Sequence, residues 1–261
     1  MSSSQKVPFS QRVSNPRTVS TGRGHPLAHY EHLARLFDYP QRDYPTWVQA
    51  AYDLLAGRYV IAAAGIHAFA QTLPTEGEPF TPEALYEVQE IFTRSFDVQS
   101  ITTLGVGYVM FGDDYKRGEV LVNLSRELRE VGIDCGNELP DHLPNVLRLI
   151  ARWKDRELAE EFVQEILHPA LEMMIAEFGE RRMEARNGLY RKHFKTLIDS
   201  SAERGTMFRE LLSAVLEVFR QDFALSELTP PENDNDFLRS IGRELEIEGA
   251  AGLPTKSGRM L

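Results

Sequence analysis

Between Asp155 and Phe178 one apolar stripe runs without a break: Leu158, Phe162, Val163, Ile166, Leu167, Ala170, Leu171, Met174, Ile175 and Phe178. Its three- and four-residue spacing is the period of a helix and excludes a strand. Asp155 is placed to cap its start. Pro169 lies inside the stripe, but the apolar positions keep phase across it, which predicts a kink rather than a break. A helix of this length with one apolar face has to bury that face against other helices.

The rest of the chain supplies them. Leu27, Tyr30, Leu33, Ala34 and Phe37 recur at helical spacing until Asp38-Tyr39-Pro40. Pro45 opens a second helix with Val48, Ala51, Leu54 and Leu55, and an alanine-rich helix after Gly57 runs to about Thr72. Thr81-Pro82-Glu83 is a strong helix start, with a capping hydroxyl and an acid at the positive end. Leu85, Val88, Phe92 and Phe96 form its stripe, and Asp97 is placed to end it. Residues 100–111 are almost wholly apolar, which predicts a helix buried all round at the centre of the fold, its Gly105 and Gly107 admitting close neighbours. Gly112-Asp113-Asp114 is a turn and a cap for a helix that ends at Gly132. Asp141 is placed to cap the next helix, with Leu143, Val146, Leu147 and Ile150 inside. Asn187-Gly188 is a predicted stop, followed by a short helix at 189–200 and an amphipathic one at 206–223.

No segment alternates with period two, and no hairpin signal separates two strands. The expected fold is therefore all-α: a single helical bundle domain of about eight to ten helices over residues 26–225. Residues 1–25 and 226–261 are polar or rich in Pro, Asn, Asp and Gly and are expected to be flexible tails, the second with one short helix at 236–247. The chain's net charge of −10 argues against general nucleic-acid binding and favours a basic partner. Its single cysteine, Cys135, excludes an internal disulfide and fits a reducing, cytoplasmic setting. No apolar run reaches membrane-spanning length; the best, 59–70, is short and contains His67. Phosphate-loop, dinucleotide and nucleophile-elbow motifs are absent, so no cofactor is expected.

Few residues remain as candidates for chemistry. Glu165 and His168 form one ExxH, where a carboxylate-bridged di-iron bundle needs two such pairs. His29 and His32 share a helix face and, with Asp141 and His142, would form the site of a helical metal-dependent phosphohydrolase, although the order Asp-His is the reverse of the pair such enzymes use. Arg181, Arg182, Arg186, Arg191, Lys192 and Lys195 form a basic run, read as a solvated face or as a contact for phosphates. Asp141-His142 sits between two prolines at a helix start, where it either caps and bonds locally or meets a ligand.

Four pieces of the chain, in order, resemble the nitrate reductase delta subunit (NarJ-like) family of the NarJ/TorD molybdenum-enzyme assembly chaperones. They are LARLFDYP (33–40), EVQEIFTRSFD (87–97), GDDYKRG (112–118) and ELPDHLP (138–144). The resemblance implies an all-helical chaperone rather than an enzyme. It implies a partner, the catalytic subunit of a molybdenum-containing oxidoreductase, bound through its N-terminal leader while the molybdenum cofactor is inserted. Proteins that deliver that cofactor are implied as further partners. The Asp-His of ELPDHLP maps the leader site onto Asp141 and His142. Glu138 joins them as a second carboxylate for the leader's arginines, and Tyr108, Phe111 and Leu143 are expected, by position, to form an apolar groove for its helix. The 206–223 helix exceeds what a compact relative needs, so a monomer and a helix-exchanged dimer both fit.

Overall fold

The computed structural model describes residues 27–75, 78–193 and 205–225. Among these residues the chain is all-α, as expected, with no strand and one isolated bridge, between Gly105 and His142. Both expected tails and the helix at 236–247 lie outside the described residues, as does most of the short helix expected at 189–200.

Local chemistry sets the helix starts. The first helices are α1 (Tyr30–Arg35), α2 (Tyr44–Leu55) and α3 (Val60–Thr72). Pro45 sits in the first turn of α2, where its missing N–H costs nothing. In α4 (Pro82–Phe96) the Thr81 hydroxyl accepts from Ala84 N–H. In α6 (Tyr115–Glu130) the Asp114 carboxylate accepts from Lys116 N–H, 2.9 Å away, and Gly132 beyond its end adopts φ 71°, a conformation glycine takes without strain. Asp155 accepts from Leu158 N–H at 3.0 Å and opens the long helix.

That helix is α8 (Arg156–Phe162), a π-helical turn at Val163–Leu167, and α9 (His168–Glu177), joined end to end. The predicted kink at Pro169 is thus a widened turn just before the proline, which releases the backbone bond that its ring would block. The stripe stays in phase: Phe162, Val163, Leu167, Ala170, Leu171 and Met174 are all fully buried.

Two expectations give way. The apolar run 100–111 is not one central helix. Only α5 (Val106–Phe111) is helical. Residues 101–106 spend their backbone groups elsewhere: Thr102 N–H donates to Ser95 O at 3.0 Å, Val106 N–H to Asp141 O at 2.9 Å, and Leu143 N–H to Leu104 O at 2.8 Å. An apolar run without periodicity carries no signal that distinguishes a buried helix from a buried extended segment. The second is the stop at Asn187-Gly188: α10 (Glu180–His193) runs straight through it. Burial of Met183, Arg186, Asn187 and Tyr190 offsets the roughly 1 kcal/mol that a helical glycine costs.

The last helix, α11 (Phe208–Asp222), is no accessory. It packs on α3 and α9, while α1 packs on α7 (Leu143–Arg152). Phe208 is fully buried among Phe69 of α3 and Phe92 and Phe96 of α4, with ring centroids 5.3–5.4 Å apart. No helix among the described residues is long and apolar enough to cross a membrane.

Candidate functional site

The ELPDHLP turn folds back against the start of α5 and the first turn of α6. The paired backbones of 104–106 and 141–143 hold it there. Asp141 does not cap α7. His142 occupies the cap position and makes no side-chain bond there. Asp141 instead turns inward and is fully buried. Its Oδ2 accepts one hydrogen bond, from Arg117 Nε at 3.3 Å, and its Oδ1 has no hydrogen-bond partner. The Arg117 guanidinium lies over the Tyr108 ring, 5.1 Å from its centroid, in a cation–π contact.

Gly107 makes this arrangement possible. A Cβ at that position would stand 2.8 Å from Asp141 Oδ2 and 3.4 Å from Arg117 Cγ. The glycine expected to admit a neighbouring backbone admits a carboxylate. Gly107→Ala is accordingly expected to push Asp141 off Arg117 and to cost about 1–3 kcal/mol, the usual range for overpacking. Urea denaturation reads this as a lowered midpoint at unchanged slope; an unchanged midpoint would mean that the carboxylate is held less tightly than described.

Beside this buried pair lies an accessible rim. Glu138 is 60% exposed at its side chain, and His142 Nε2 lies 3.9 Å from Glu138 Oε2. Leu139 is 50% exposed. Burial holds the His142 imidazole below its ordinary pKa of 6.5, against the opposing pull of Glu138, Asp38 and Asp141, so it is neutral at pH 7. Asp38, at the end of the α1 segment, pairs with Arg148 of α7. Tyr39 next to it is 48% exposed. Of the expected groove residues, Tyr108 and Phe111 are half-buried, whereas Leu143 is fully buried and belongs to the core.

The other candidates do not assemble. His29 is engaged with a different carboxylate: its Nε2 lies 2.7 Å from Asp222 Oδ2. His32 is exposed, and no group of three His, Cys, Asp or Glu among the described residues is placed to hold a metal ion. The set His29, His32, Asp141 and His142 therefore forms no common site. Glu165 is exposed while His168 is buried, and the nearest carboxylate to His168 is Glu172, 3.5 Å away. The basic run is not a solvated face throughout. Arg186 is fully buried and donates from Nη1 to Ile101 O at 3.1 Å, and burial depresses its pKa.

Sequence reasoning missed Arg117 and Asp38 as site residues, although both lie in quoted motifs, GDDYKRG and LARLFDYP. It also missed Asp222, whose side chain is 2% exposed. Its Oδ2 accepts from His29 and from the Tyr30 hydroxyl at 3.1 Å, and its Oδ1 from the Tyr59 hydroxyl at 2.7 Å and Arg58 at 3.2 Å. Burial raises its pKa, but the bonds from His29 and Tyr59 outweigh that and hold it below 3.8. Near this cluster an open concavity of about 380 Å³ is lined by Arg58 to Ala62 of the α2–α3 junction and by Glu217, Arg220 and Gln221 of α11. None of the sequence-predicted site residues lines it. The chain matches no protein-family model and no curated protein sequence.

Proposed function

We propose that this protein is an assembly chaperone rather than an enzyme. It binds the basic, partly apolar N-terminal leader of a molybdenum-enzyme catalytic subunit in the cytoplasm and holds that subunit for cofactor insertion. One observation carries the reading. Three motif pieces that are far apart in sequence meet at one place. Arg117 of GDDYKRG donates to Asp141 of ELPDHLP. Asp38 of LARLFDYP lies close enough to His142 to act on its charge, and it pairs with Arg148 two turns into the helix that ELPDHLP opens. Three of the four pieces that resemble the NarJ-like family thus meet in one region, which supports reading them as parts of one site.

The chemistry of that region suits such a peptide. Glu138 and Asp38 offer carboxylates for arginines through charge-assisted hydrogen bonds. Leu139, Tyr39 and the half-buried Tyr108 and Phe111 offer apolar contact for a helix face. The net charge of −10 accelerates encounter with a basic segment.

The test is calorimetric titration with N-terminal leader peptides from molybdenum-enzyme catalytic subunits. Binding is expected at micromolar or tighter, and Glu138→Gln combined with His142→Ala is expected to weaken it about tenfold or more without loss of helix content. If no leader binds wild type, or if the double variant binds as well as wild type, this site is not the leader site.

A further inference from the structure

Four carboxylates are buried among the described residues, Glu127, Asp141, Glu177 and Asp222, and the two aspartates are built differently. Asp222 has two partners on each oxygen, supplied by His29, Tyr30, Tyr59 and Arg58. Asp141 is buried as deeply, yet one long hydrogen bond reaches one of its oxygens and the other has none. An unsatisfied oxygen on a buried carboxylate is costly. A purely structural ion pair lowers that cost with further bonds, and this chain does so at Asp222 but not at Asp141.

The cation on Asp141 is also poorly seated. Arg117 approaches side-on through Nε, not with the two parallel N–H groups at the end of the guanidinium. Its side chain is 19% exposed and stands in the first turns of α6, whereas that of Asp141 is 1% exposed. Tyr108 supplies a ring face for a guanidinium beside the carboxylate.

We propose that Asp141 is an arginine-binding carboxylate, and that Arg117 is an internal stand-in displaced when an arginine of the bound peptide enters. An incoming guanidinium that presents its forked end engages both oxygens of Asp141 and takes the place over Tyr108. Lysine, a point charge without the planar fork, serves poorly. Arg117 swings outward to solvent. The bound-state cation is thus exchanged rather than added, and the empty protein never carries a bare buried carboxylate. This rests on the leader-binding reading for the identity of the peptide, but not for the chemistry of the pocket.

The experiment uses the full chain as wild type, Arg117→Ala and Arg117→Gln, the last keeping a side chain over Tyr108 should alanine impair folding. Two kinds of probe are titrated: leader peptides with their arginines intact or changed to alanine, and Nα-acetyl-arginine amide beside Nα-acetyl-lysine amide. Removing the competitor is expected to tighten leader binding about tenfold, and the gain is expected to vanish with the arginine-free peptide. The arginine amide, and not the lysine amide, is expected to raise the melting temperature of the Arg117 variants, and Asp141→Asn added to them abolishes the effect. If wild type binds leaders and the Arg117 variants bind equally or more weakly, the displacement is wrong while the leader site stands. If no protein binds any leader, the leader reading fails; arginine-selective stabilisation of the variants then still supports the pocket, and its absence overturns the pocket as well.

Discussion

Phe208→Ala is expected to cost about 3–5 kcal/mol, the range for removing a buried phenylalanine ring from a core. In a chain of this size that lowers the thermal midpoint by roughly 10 °C. Phe208 is fully buried and joins three helices through Phe69, Phe92 and Phe96. Its removal leaves a cavity whose walls belong to α3, α4 and α11, so no single side chain can collapse into it. Phe208→Leu is expected to recover more than half of the loss. Calorimetric or denaturant unfolding reads both. A loss below about 1 kcal/mol for alanine would mean that α11 is peripheral and not part of the core.

Asp222→Ala is expected to be as damaging, about 3–5 kcal/mol, because it strands the partners of a buried carboxylate. Asp222→Asn keeps the shape and separates charge from packing. The sign of the pH dependence follows from the depressed folded pKa. Asp222 contributes stability that is fully present above its unfolded pKa, about 3.8, and that is lost as pH falls through the lower folded value. The difference between wild type and Asp222→Asn is therefore expected to shrink as pH falls below about 4. Burial and the bond to Asp222 also raise the Tyr30 and Tyr59 hydroxyls well above the ordinary value of 10, so neither ionises in this range. A difference that grows as pH falls below about 4 would contradict the geometry around the carboxylate.

Most of the helices were legible because their signals are local. The caps at Thr81, Asp114 and Asp155 act within three residues, and the stripe from Leu158 to Phe178 is a property of one segment. What was not legible depends on partners far along the chain. Asp141 has the form of a helix cap in sequence, but its partner, Arg117, is 24 residues away. Arg186 has the form of a surface cation in a basic run, but it reaches Ile101, 85 residues away. His29 had the form of a metal ligand, and its partner is 193 residues away. The motif pieces at 33–40, 112–118 and 138–144 could be quoted from the sequence, but that they meet in one region is a tertiary fact. The role of 206–223 stayed open in the sequence for a related reason: an amphipathic stripe says that a face is buried, not against what.

The pairing of α3 with α11 has a consequence during synthesis. The ribosome completes α3 long before it reaches Phe208, and at ordinary elongation rates the interval is on the order of ten seconds. For that time Phe69 has no Phe208 to pack on, and α1 lacks the carboxylate that fastens His29 and Tyr30. The nascent chain therefore travels with an open apolar flank that closes only when the last described helix emerges. A protein proposed to shelter another chain's unfinished state passes through a comparable state of its own.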